Sequence, residues 1–395
     1  MKNAPDTAQC IDTVVAGYLG VDLTPGFGAM RTVVPFSELF RPGKLIETEG
    51  LHISLGGVVA NTGLALLKFG QRVELMGCVG NDALGDMAIA RLAQAGVVRG
   101  IRRNSRAGTA YGLVIAPPGM DRLFLEDPGC NRSFIADDID YDVVGQSRLF
   151  HFGYPPLMPA LWSNGGAELQ KLLNRVRERG VAISLDMTLP DPDSPAGKVD
   201  WQALLAMTLP LVDIFVPSIE ELIFMLEPKL YMRLLSETVG GDMLAVIPME
   251  LYGQLADRIL ALGVKVLLIK AGHRGAYLRT GNLESLNAAT ALCLSDHIGC
   301  PQGVWIPSFP VEAERFCNAS GAGDCAVAGF LAALLNGVNL KTAGSYAMLA
   351  GRDNLYGQDA LSGLVDWSQM ANVVQGLENA QLQVPLRQRQ REAGR

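Results

Sequence analysis

The chain shows two patterns of hydrophobic and polar positions, and the more regular one begins near Arg148. Short apolar runs predict strands at residues 149–152, 182–186, 214–216 and 265–270. Stretches with helical periodicity separate these runs, as at residues 167–179. Strands that alternate with helices indicate βαβ units, so this part of the chain predicts a parallel sheet with helices on both faces.

The first part of the chain is less regular and predicts a second, smaller sheet. Residues 14–19 predict a first strand that ends shortly before Asp22. Residues 108–116 and 121–126 alternate between apolar and polar positions and flank a Pro-Pro-Gly-Met turn, which is typical of a β-hairpin. Together with β-like pieces between residues 23 and 53, the hairpin predicts a small sheet that covers the main domain as a lid.

These patterns divide the chain into three parts. We predict an α/β domain formed by residues 1–22, 54–106 and 128–380, and a β lid formed by residues 23–53 and 107–127. Residues 283–314 show no period and predict a long loop near a site. The last segment, residues 381–395, contains four arginines and almost nothing apolar, which predicts a disordered basic tail.

Composition and charge argue against nucleic-acid binding and membrane insertion and indicate where the protein is located. A formal net charge of −7, without a basic cluster that interleaves aromatic residues, argues against nucleic-acid binding. The apolar run after Asp324 is interrupted at Asn336 and Asn339, so it predicts a buried helix and no membrane span. The run at residues 13–19 predicts a strand and not a signal peptide. Seven cysteines without a CxxC pair fit reduced thiols in a cytoplasmic protein.

A turn of small residues, Gly321, Ala322 and Gly323, leads into this apolar run. The first N–H groups of a helix lack partners and lie at the positive end of its dipole, so such a turn can hold a phosphate. Asp324 would repel that anion, but its position suits a base that takes a proton from an attacking hydroxyl group. The alternative is an ordinary helix start, with Ser320 as N-cap and Asp324 favouring the dipole.

A second glycine turn precedes a predicted helix early in the chain. Gly56 and Gly57 allow a ligand to approach the backbone, and the amide of Asn61 can donate to and accept from hydroxyl groups. Asp22 follows the first predicted strand, a position where open α/β sheets bind ligands. The alternatives are a left-handed turn with an N-cap and, for Asp22, a simple turn residue.

Polar residues also follow the later predicted strands. Asp186 ends one strand, Glu221 lies in a helix that follows another, and Lys270 precedes a turn that contains Gly272 and Gly275. Because the carboxyl ends of parallel strands share one edge of the sheet, we expect these residues to lie together. Carboxylates at this edge would hold Mg²⁺ through water. The chain lacks the P-loop motif GxxxxGK[ST], and no GxGxxG motif follows a predicted strand. Neither the P-loop nor the dinucleotide-binding fingerprint is therefore present.

With these blocks in this order, the chain resembles the ribokinase-type (PfkB) carbohydrate kinase family over residues 13–377. The Gly-Gly…Asn segment at 56–61 and the Gly-Ala-Gly-Asp segment at 321–324 match the two signature regions of that family. Residues 77–85 look like its usual third block. The resemblance implies a ribokinase-like three-layer α/β/α fold with a central, mostly parallel sheet and a small β-sheet lid.

The resemblance also implies a reaction, the transfer of the γ-phosphoryl group of ATP to a primary hydroxyl of a sugar or similar polyol, with ATP and Mg²⁺ bound. Asp324 would be the general base, and the N–H groups of Gly321, Ala322 and Gly323 would form the anion hole. The implied ligands are Asp22, Gly56, Gly57 and Asn61 for the acceptor, Lys270, Gly272, Gly275 and Asn318 for the nucleotide, and Glu221 and Asp186 for the metal.

Three departures from the family pattern bear on this expectation. Ser218 replaces the Asn of the family's Asn-x-x-Glu motif, which weakens the expected metal network. Asn318 and Ala319 replace a frequent Asp-Thr pair near a monovalent-cation site, so activation by K⁺ is open. Val58 replaces a frequent Lys, which indicates a substrate unlike ribose. Two alternative functions stay open: a nucleoside kinase of the same fold, and a catalytically weak sugar-binding regulator. Whether the chain forms a homodimer through the lid is also open.

Overall fold

The computed structural model describes residues 11–28, 35–117, 123–238, 242–292, 294 and 299–383. Within them the strands are β1 (Ile11–Gly17), β2 (Gly20–Pro25), β3 (Leu51–Gly56), β4 (Val73–Gly80), β5 (Gly100–Asn104), β6 (Ala110–Ile115), β7 (Leu123–Asp127), β8 (Ser147–Gly153), β9 (Ala182–Leu185), β10 (Ile214–Phe215), β11 (Val266–Lys270), β12 (Ala276–Thr280) and β13 (Val304–Ile306). The α-helices of these residues are α1 (Phe36–Leu39), α2 (Gly57–Lys68), α3 (Ala83–Gln94), α4 (Tyr141–Val144), α5 (Pro159–Trp162), α6 (Ala167–Arg177), α7 (Trp201–Thr208), α8 (Ile219–Leu226), α9 (Pro228–Glu237), α10 (Met249–Ala261), α11 (Leu283–Ala289), α12 (Ala322–Leu335), α13 (Leu340–Asn354) and α14 (Trp367–Gln383).

Nine of the described strands form one large sheet in the order β13, β12, β11, β10, β9, β8, β1, β4 and β5. All neighbours from β11 to β5 are parallel, whereas β12 runs antiparallel to both β11 and β13 at one edge. A separate hydrophobic core packs against each face. The predicted α/β architecture with a mostly parallel sheet is therefore confirmed.

Side chains of the later strands alternate between these two cores, which decides where their polar ends lie. Ala182 and Leu268 belong to the core that includes α12, and Ile183 belongs to the opposite core. Because alternate residues of a strand share a face, Asp186 and Lys270 lie on the side of α12 at the carboxyl edge of the sheet. Strand alternation thus brings a carboxylate and an ammonium group to one helix terminus.

Helix α12 is the central helix of that face and packs against α2 and α13. Its residues from Asp324 to Leu335 are all buried, which explains why this part of the sequence is apolar all round. In the described part of the chain, no helix combines the length and the apolar character needed to cross a membrane.

Four other described strands form a separate sheet in the order β3, β2, β6 and β7. The chain leaves β1 at Gly17, where a Cβ atom would lie 1.7 Å from the carbonyl oxygen of Gly153, and enters the small sheet at Gly20. Asp22 therefore lies within a lid strand, opposite Ser54, and not just after a strand of the large sheet as predicted. The lid strands also start earlier and end later than the predicted segment 23–53, because β2 and β3 pair along their whole lengths.

Asp82, from the third family-like block, fixes the lid to the main domain. Its carboxylate accepts hydrogen bonds from the N–H groups of Gly85 and Thr109, at 2.8 and 2.7 Å, and from the Thr109 hydroxyl at 2.6 Å. Thr109 directly precedes lid strand β6, and its hydroxyl also accepts from the N–H of Gly80 at 2.8 Å. This block therefore joins the start of α3 to the root of the lid.

Three other segments differ from the predictions. Residues 283–314 were expected to form a long loop, but they contain α11 and also β13, which pairs with β12. Helix α9 was not predicted. Helix α14 continues to Gln383, past the predicted start of the tail at residue 381, and residues 384–395 lie outside the described residues.

Candidate active site

Helix α12 begins with a left-handed residue that opens its first turn. Gly321 is the N-cap with a φ of +77°, and a Cβ atom there would lie 2.6 Å from the Cβ of Ala360, so this position needs glycine. The N-cap interpretation of Ser320 is therefore wrong. The N–H of Ala322 makes only a long hydrogen bond, 3.3 Å, to a carbonyl oxygen of the preceding turn. An anion hole at Gly321, Ala322 and Gly323 stays a prediction, and this open first turn supports it.

Asp324 lies in that first turn and is held by three donors from two other segments. Asn61 Nδ2 donates to Oδ2 at 2.9 Å, and Thr62 Oγ1 donates to Oδ1 at 3.3 Å. The hydroxyl of Tyr154, one residue after β8, also donates to Oδ1. Burial raises the pKa of Asp324, while hydrogen bonds from Tyr154 and Asn61 and the charge of Lys270 oppose that rise. A buried, oriented carboxylate with a raised pKa is suited to act as a general base.

A buried ion pair lies at the same edge of the sheet. Lys270 Nζ donates to both carboxylate oxygens of Asp186, at 2.7 and 2.8 Å. Burial alone would lower the pKa of Lys270, but the charges of Asp186, Glu221 and Asp324 outweigh it and raise the pKa, so the ammonium group stays charged. A Cβ atom on Gly323 would lie 3.8 Å from Lys270 Nζ. The ammonium group is therefore beside the first turn of α12.

Glu221 and Ser218 form a capping box at the start of α8. The hydroxyl of Ser218 accepts from the N–H of Glu221 at 3.2 Å, and the carboxylate of Glu221 accepts from the N–H of Ser218 at 2.7 Å. Ser218, which departs from the family motif, thus orients Glu221. The described residues contain no group of three or more His, Cys, Asp or Glu side chains that could hold a metal. A role of Glu221 and Asp186 in holding Mg²⁺ through water and phosphate oxygens stays a prediction.

The turn after β11 contains two glycines in different surroundings. Gly272, with a φ of +48°, is exposed beside Leu244. Gly275, with a φ of +105°, is buried, and a Cβ atom there would lie 2.1 Å from the carbonyl oxygen of Ile306. Packing against β13 and a positive φ explain why residue 275 is glycine. A nucleotide beside Gly272 and Gly275 stays a prediction.

A cavity of about 390 Å³ lies where the lid faces the start of α12. Its described lining combines polar and apolar groups in about equal measure and comes from β2, β3, β6, α2 and the segments before α12 and after α13. Asn61 lines the cavity and also donates to Asp324, so the cavity and the candidate base adjoin. Volumes of this order are typical of small-molecule sites, and we treat the cavity as the candidate acceptor site.

The glycine pair before Asn61 shapes this cavity. Gly56 ends β3, and a Cβ atom there would lie 2.7 Å from both carboxylate oxygens of Asp22. Gly57 begins α2 with a φ of +84°, and a Cβ atom on it would lie 2.5 Å from the carbonyl oxygen of Tyr18. Both positions are explained by close approach to other protein atoms. Gly56 specifically leaves the space that the carboxylate of Asp22 occupies.

Asp22 projects from the lid into the cavity. Burial raises its pKa to about 6, and the negative charges of Glu126 and Asp324 add to the rise. Among the described residues, no group donates a hydrogen bond to its carboxylate. A lone, partly buried carboxylate at a cavity surface can accept two hydrogen bonds from ligand hydroxyl groups.

Asn318 lies on the acceptor side of the site. Its Nδ2 donates to the carbonyl oxygen of Gln358 at 2.8 Å, and its Oδ1 accepts from the N–H of Ser320 at 2.5 Å. It lines the same cavity as Asp22. These contacts favour a position near the acceptor over the nucleotide position that was predicted for Asn318.

Two residues that hold Asp324 were not predicted from the sequence. Thr62 directly follows Asn61 in α2, and its hydroxyl reaches Asp324 from the same helical turn. Tyr154 follows β8, so it lies at the carboxyl end of a parallel strand like Asp186. For Tyr154 the available signal was a polar residue at a strand end, and for Thr62 it was only adjacency to Asn61.

Comparisons with known proteins identify relatives along most of the chain. The sequence profile described as pfkB family carbohydrate kinase matches residues 24–352. An uncharacterized sugar kinase of Archaeoglobus fulgidus is 24% identical over 283 residues, which cover 71% of this chain and 90% of that protein. Probable fructokinase-4 of Arabidopsis thaliana is 27% identical over 206 residues, which cover 51% of this chain and 61% of that protein.

Solved structures extend the likeness to the fold. Ribokinase of Arabidopsis thaliana, complexed with ribose and ATP, superposes with a TM-score of 0.66 at 18% identity and covers 92% of this chain and 98% of its own. Fructokinase of Xylella fastidiosa with bound ATP gives a TM-score of 0.64 at 20% identity, with coverages of 93% and 99%. The predicted ribokinase-like fold is thereby confirmed. Because the family profile spans most of its length, the chain belongs to the pfkB family of carbohydrate kinases.

Proposed function

We propose that this kinase transfers the γ-phosphoryl group of ATP to a primary hydroxyl of a sugar or a closely similar polyol. The observation that carries the proposal is the double contact of Asn61, which lines the acceptor cavity and donates at 2.9 Å to the buried carboxylate of Asp324. A hydroxyl group bound at that end of the cavity would meet a base whose orientation is already fixed.

In the proposed step, Asp324 accepts the proton of the acceptor hydroxyl. The freed oxygen forms a bond to the γ-phosphorus, and the bond from this phosphorus to the bridging oxygen of ADP breaks. The N–H groups of Gly321, Ala322 and Gly323, with the ammonium group of Lys270, stabilise the negative charge on the transferred group. Phosphoryl transfer depends on such positioning and charge stabilisation more than on covalent chemistry.

The phosphoryl donor is proposed as ATP with Mg²⁺. Solved relatives of the same fold include a ribokinase and a fructokinase with ATP bound. When bound, Mg²⁺ would neutralise phosphate oxygens, and Asp186 and Glu221 would accept hydrogen bonds from its water ligands. The capping box keeps Glu221 oriented although Ser218 replaces Asn, which speaks against a catalytically weak regulator.

The lining of the cavity favours a sugar over a nucleoside. Phe27 is the one Phe, Tyr or Trp among its described lining residues, whereas several hydrogen-bonding side chains, such as Asp22, Ser54 and Asn318, line the same space. Nucleobases are commonly bound by stacking on aromatic rings, and sugars by dense hydrogen bonding to their hydroxyl groups.

The outer face of the lid supports a homodimer. Strand register places Tyr111, Leu113, Leu123 and Leu125 on the face opposite Gly112 and Val114, and Val114 lines the cavity. Of these four, Tyr111, Leu123 and Leu125 are exposed. An exposed apolar sheet face of this kind is typical of a protein interface. Light scattering should therefore give a dimer mass for the wild type and a monomer mass for Leu125→Glu.

Acceptor-dependent formation of ADP tests the proposed reaction. Neutral sugars, sugar acids, amino sugars and nucleosides are each supplied with Mg²⁺ and ATP. We expect turnover with at least one sugar, loss of that turnover in Asp324→Asn, and retention in Asp86→Asn, which makes the same charge change in the first turn of α3. Turnover with nucleosides alone would support the nucleoside kinase, and no turnover with any acceptor would contradict the proposal.

A further inference from the structure

The described lining of the acceptor cavity carries more negative than positive charge. The carboxylates of Asp22, Glu49 and Asp359 line it, and none of its described lining residues is a lysine or an arginine. The imidazole of His52, which is exposed, is the one basic side chain of this described lining. Sites that bind carboxylate or phosphate groups present guanidinium, ammonium or clustered N–H donors, and the described lid side offers no such side chain.

The three carboxylates differ in how far the protein satisfies them. Asp359 Oδ1 accepts from the N–H groups of Leu361 and Ser362, at 2.9 and 2.7 Å, so Asp359 stabilises a turn. The carboxylates of Asp22 and Glu49 have no hydrogen-bond or ion-pair partner among the described residues. Within the described part of the chain the hydrogen-bonding capacity of these two carboxylates is unused, and both favour donors and cations over anions.

Glu49 is fixed at the cavity through its backbone and not through its carboxylate. Its N–H donates to the carbonyl oxygen of Gly26 at 2.7 Å, and the N–H of Gly26 donates to Gly50 at 3.2 Å. A Cβ atom on Gly28 would lie 2.4 Å from Glu49 Oε2, so the absence of a side chain at Gly28 makes room for the carboxylate. Replacing the carboxylate of Glu49 with an amide would change the charge of the cavity while leaving these backbone contacts in place.

On the basis of the proposed function, we infer that the acceptor site selects by charge and that Glu49, together with Asp22, sets this preference. The site takes polyols without an anionic group, binds an amino sugar more tightly than the matching neutral sugar, and rejects sugar acids and sugar phosphates. An ammonium group gains from an unpaired carboxylate, and an anionic group loses by the same interaction. The substrate class is therefore neutral to cationic.

The test measures binding and turnover separately for a matched series of a hexose, its 2-amino-2-deoxy form, its sugar acid and its monophosphate. Calorimetry gives Kd for each compound, and ADP formation gives kcat/KM. For the wild type we expect the amino sugar to bind about 3–10-fold more tightly than the hexose, since partly exposed ion pairs contribute factors of this size. In Glu49→Gln the ratio of the Kd of the hexose to the Kd of its amino form should fall, because one of the two carboxylates that lack a partner among the described lining residues is lost. Glu47→Gln makes the same change at an exposed residue outside the cavity lining and should retain the advantage.

The outcomes separate the inference from the proposed function. Charge-dependent binding that weakens in Glu49→Gln, without turnover of any compound, would uphold the selectivity and refute the kinase reaction. Turnover with equal binding of the hexose and its amino form, or with better binding of the acid or the phosphate, would uphold the reaction and overturn the selectivity. Failure of the whole series to bind would also overturn it.

Discussion

The charged groups at the carboxyl edge of the large sheet have protein partners, whereas two carboxylates of the lid cavity have none among the described residues. At the edge, Lys270 is paired with Asp186, and three donors hold Asp324. In the cavity, Asp22 and Glu49 have no partner among the described residues. Both regions lie near the N-terminus of α12. Among the described residues, protein groups satisfy the charged side chains at the edge but leave Asp22 and Glu49 without partners.

The difference is explained by the separate roles of residues that act on the reacting atoms and residues that recognise the acceptor. Groups that act on the reacting atoms must keep one geometry before the ligand arrives, so the fold satisfies and orients them in advance. Groups that recognise an acceptor must exchange water for ligand, so the protein leaves their hydrogen-bonding capacity open. Changes at the edge should therefore affect stability and kcat, and changes in the cavity should affect KM.

The largest effect is expected for Asp324→Asn. Loss of a general base should lower kcat by about 10²–10⁴-fold with a modest change of KM for either substrate. Steady-state kinetics of the purified variant beside Asp86→Asn check this result. A kcat within about threefold of the wild type would place the base elsewhere.

Lys270→Met breaks the ion pair at the edge and leaves the buried carboxylate of Asp186 without its counter-charge, with the N–H of Met187 still donating to it at 2.9 Å. The side chain of Asp186 is only 1% exposed, so we expect a loss of about 3–5 kcal/mol in the free energy of unfolding. Denaturant unfolding measures this loss. The control Lys171→Met removes an exposed pair with Asp137 and should cost less than about 1 kcal/mol. Equal losses in the two variants would show that the edge is not preorganised as described.

Tyr154→Phe removes one donor from Asp324 and keeps the ring. Because the hydrogen bond from Tyr154 lowers the pKa of Asp324, its loss should raise that pKa. The acidic limb of the kcat profile should then move to higher pH, and kcat at neutral pH should fall by about tenfold. Tyr141→Phe, which removes a hydroxyl that donates to Ala136 at 2.8 Å away from the site, should leave the profile in place. A change of KM without a shift in the acidic limb of the kcat profile would contradict the role of Tyr154.

A smaller effect is expected from the titration of Asp22 in the cavity. Its pKa is raised to about 6, so the carboxylate is protonated as the pH falls below that value. KM for the acceptor should then rise by about tenfold per pH unit, and Asp22→Asn should remove this dependence. Because the folded pKa lies above the usual value of 3.8, Asp22→Asn should also gain stability over the wild type as the pH rises from 3.8 to about 6. A pH-independent KM in the wild type would contradict the role of Asp22.

The sequence was most informative where local chemistry is unusual. A turn of small residues before an apolar helix located Asp324, and polar residues after predicted strands located Asp186, Glu221 and Lys270 at one edge. The structure brings Asp186 and Lys270 into contact at this edge because the carboxyl ends of parallel strands must meet, whatever the loops between them do, and the roles of these residues stay predictions.

The remaining parts depend on contacts between distant segments, which periodicity does not encode. Asp22 was placed after a strand of the large sheet, but Gly17 redirects the chain and Asp22 pairs with Ser54 in the lid. Tyr154 reaches Asp324 across 170 residues of sequence. Packing against Ile306 explains Gly275, and that contact could not be inferred from the glycine alone.

We propose that Asp324 and the open first turn of α12 act on one acceptor hydroxyl. A crystal structure with a non-hydrolysable ATP analogue, Mg²⁺ and a turned-over acceptor tests it most directly. We expect the primary hydroxyl oxygen within about 3 Å of the Asp324 carboxylate, in line with the γ-phosphorus, and the γ-phosphate at the N–H groups of residues 321–323. An acceptor bound in the cavity with its hydroxyl turned away from Asp324, or a γ-phosphate remote from that turn, would contradict it.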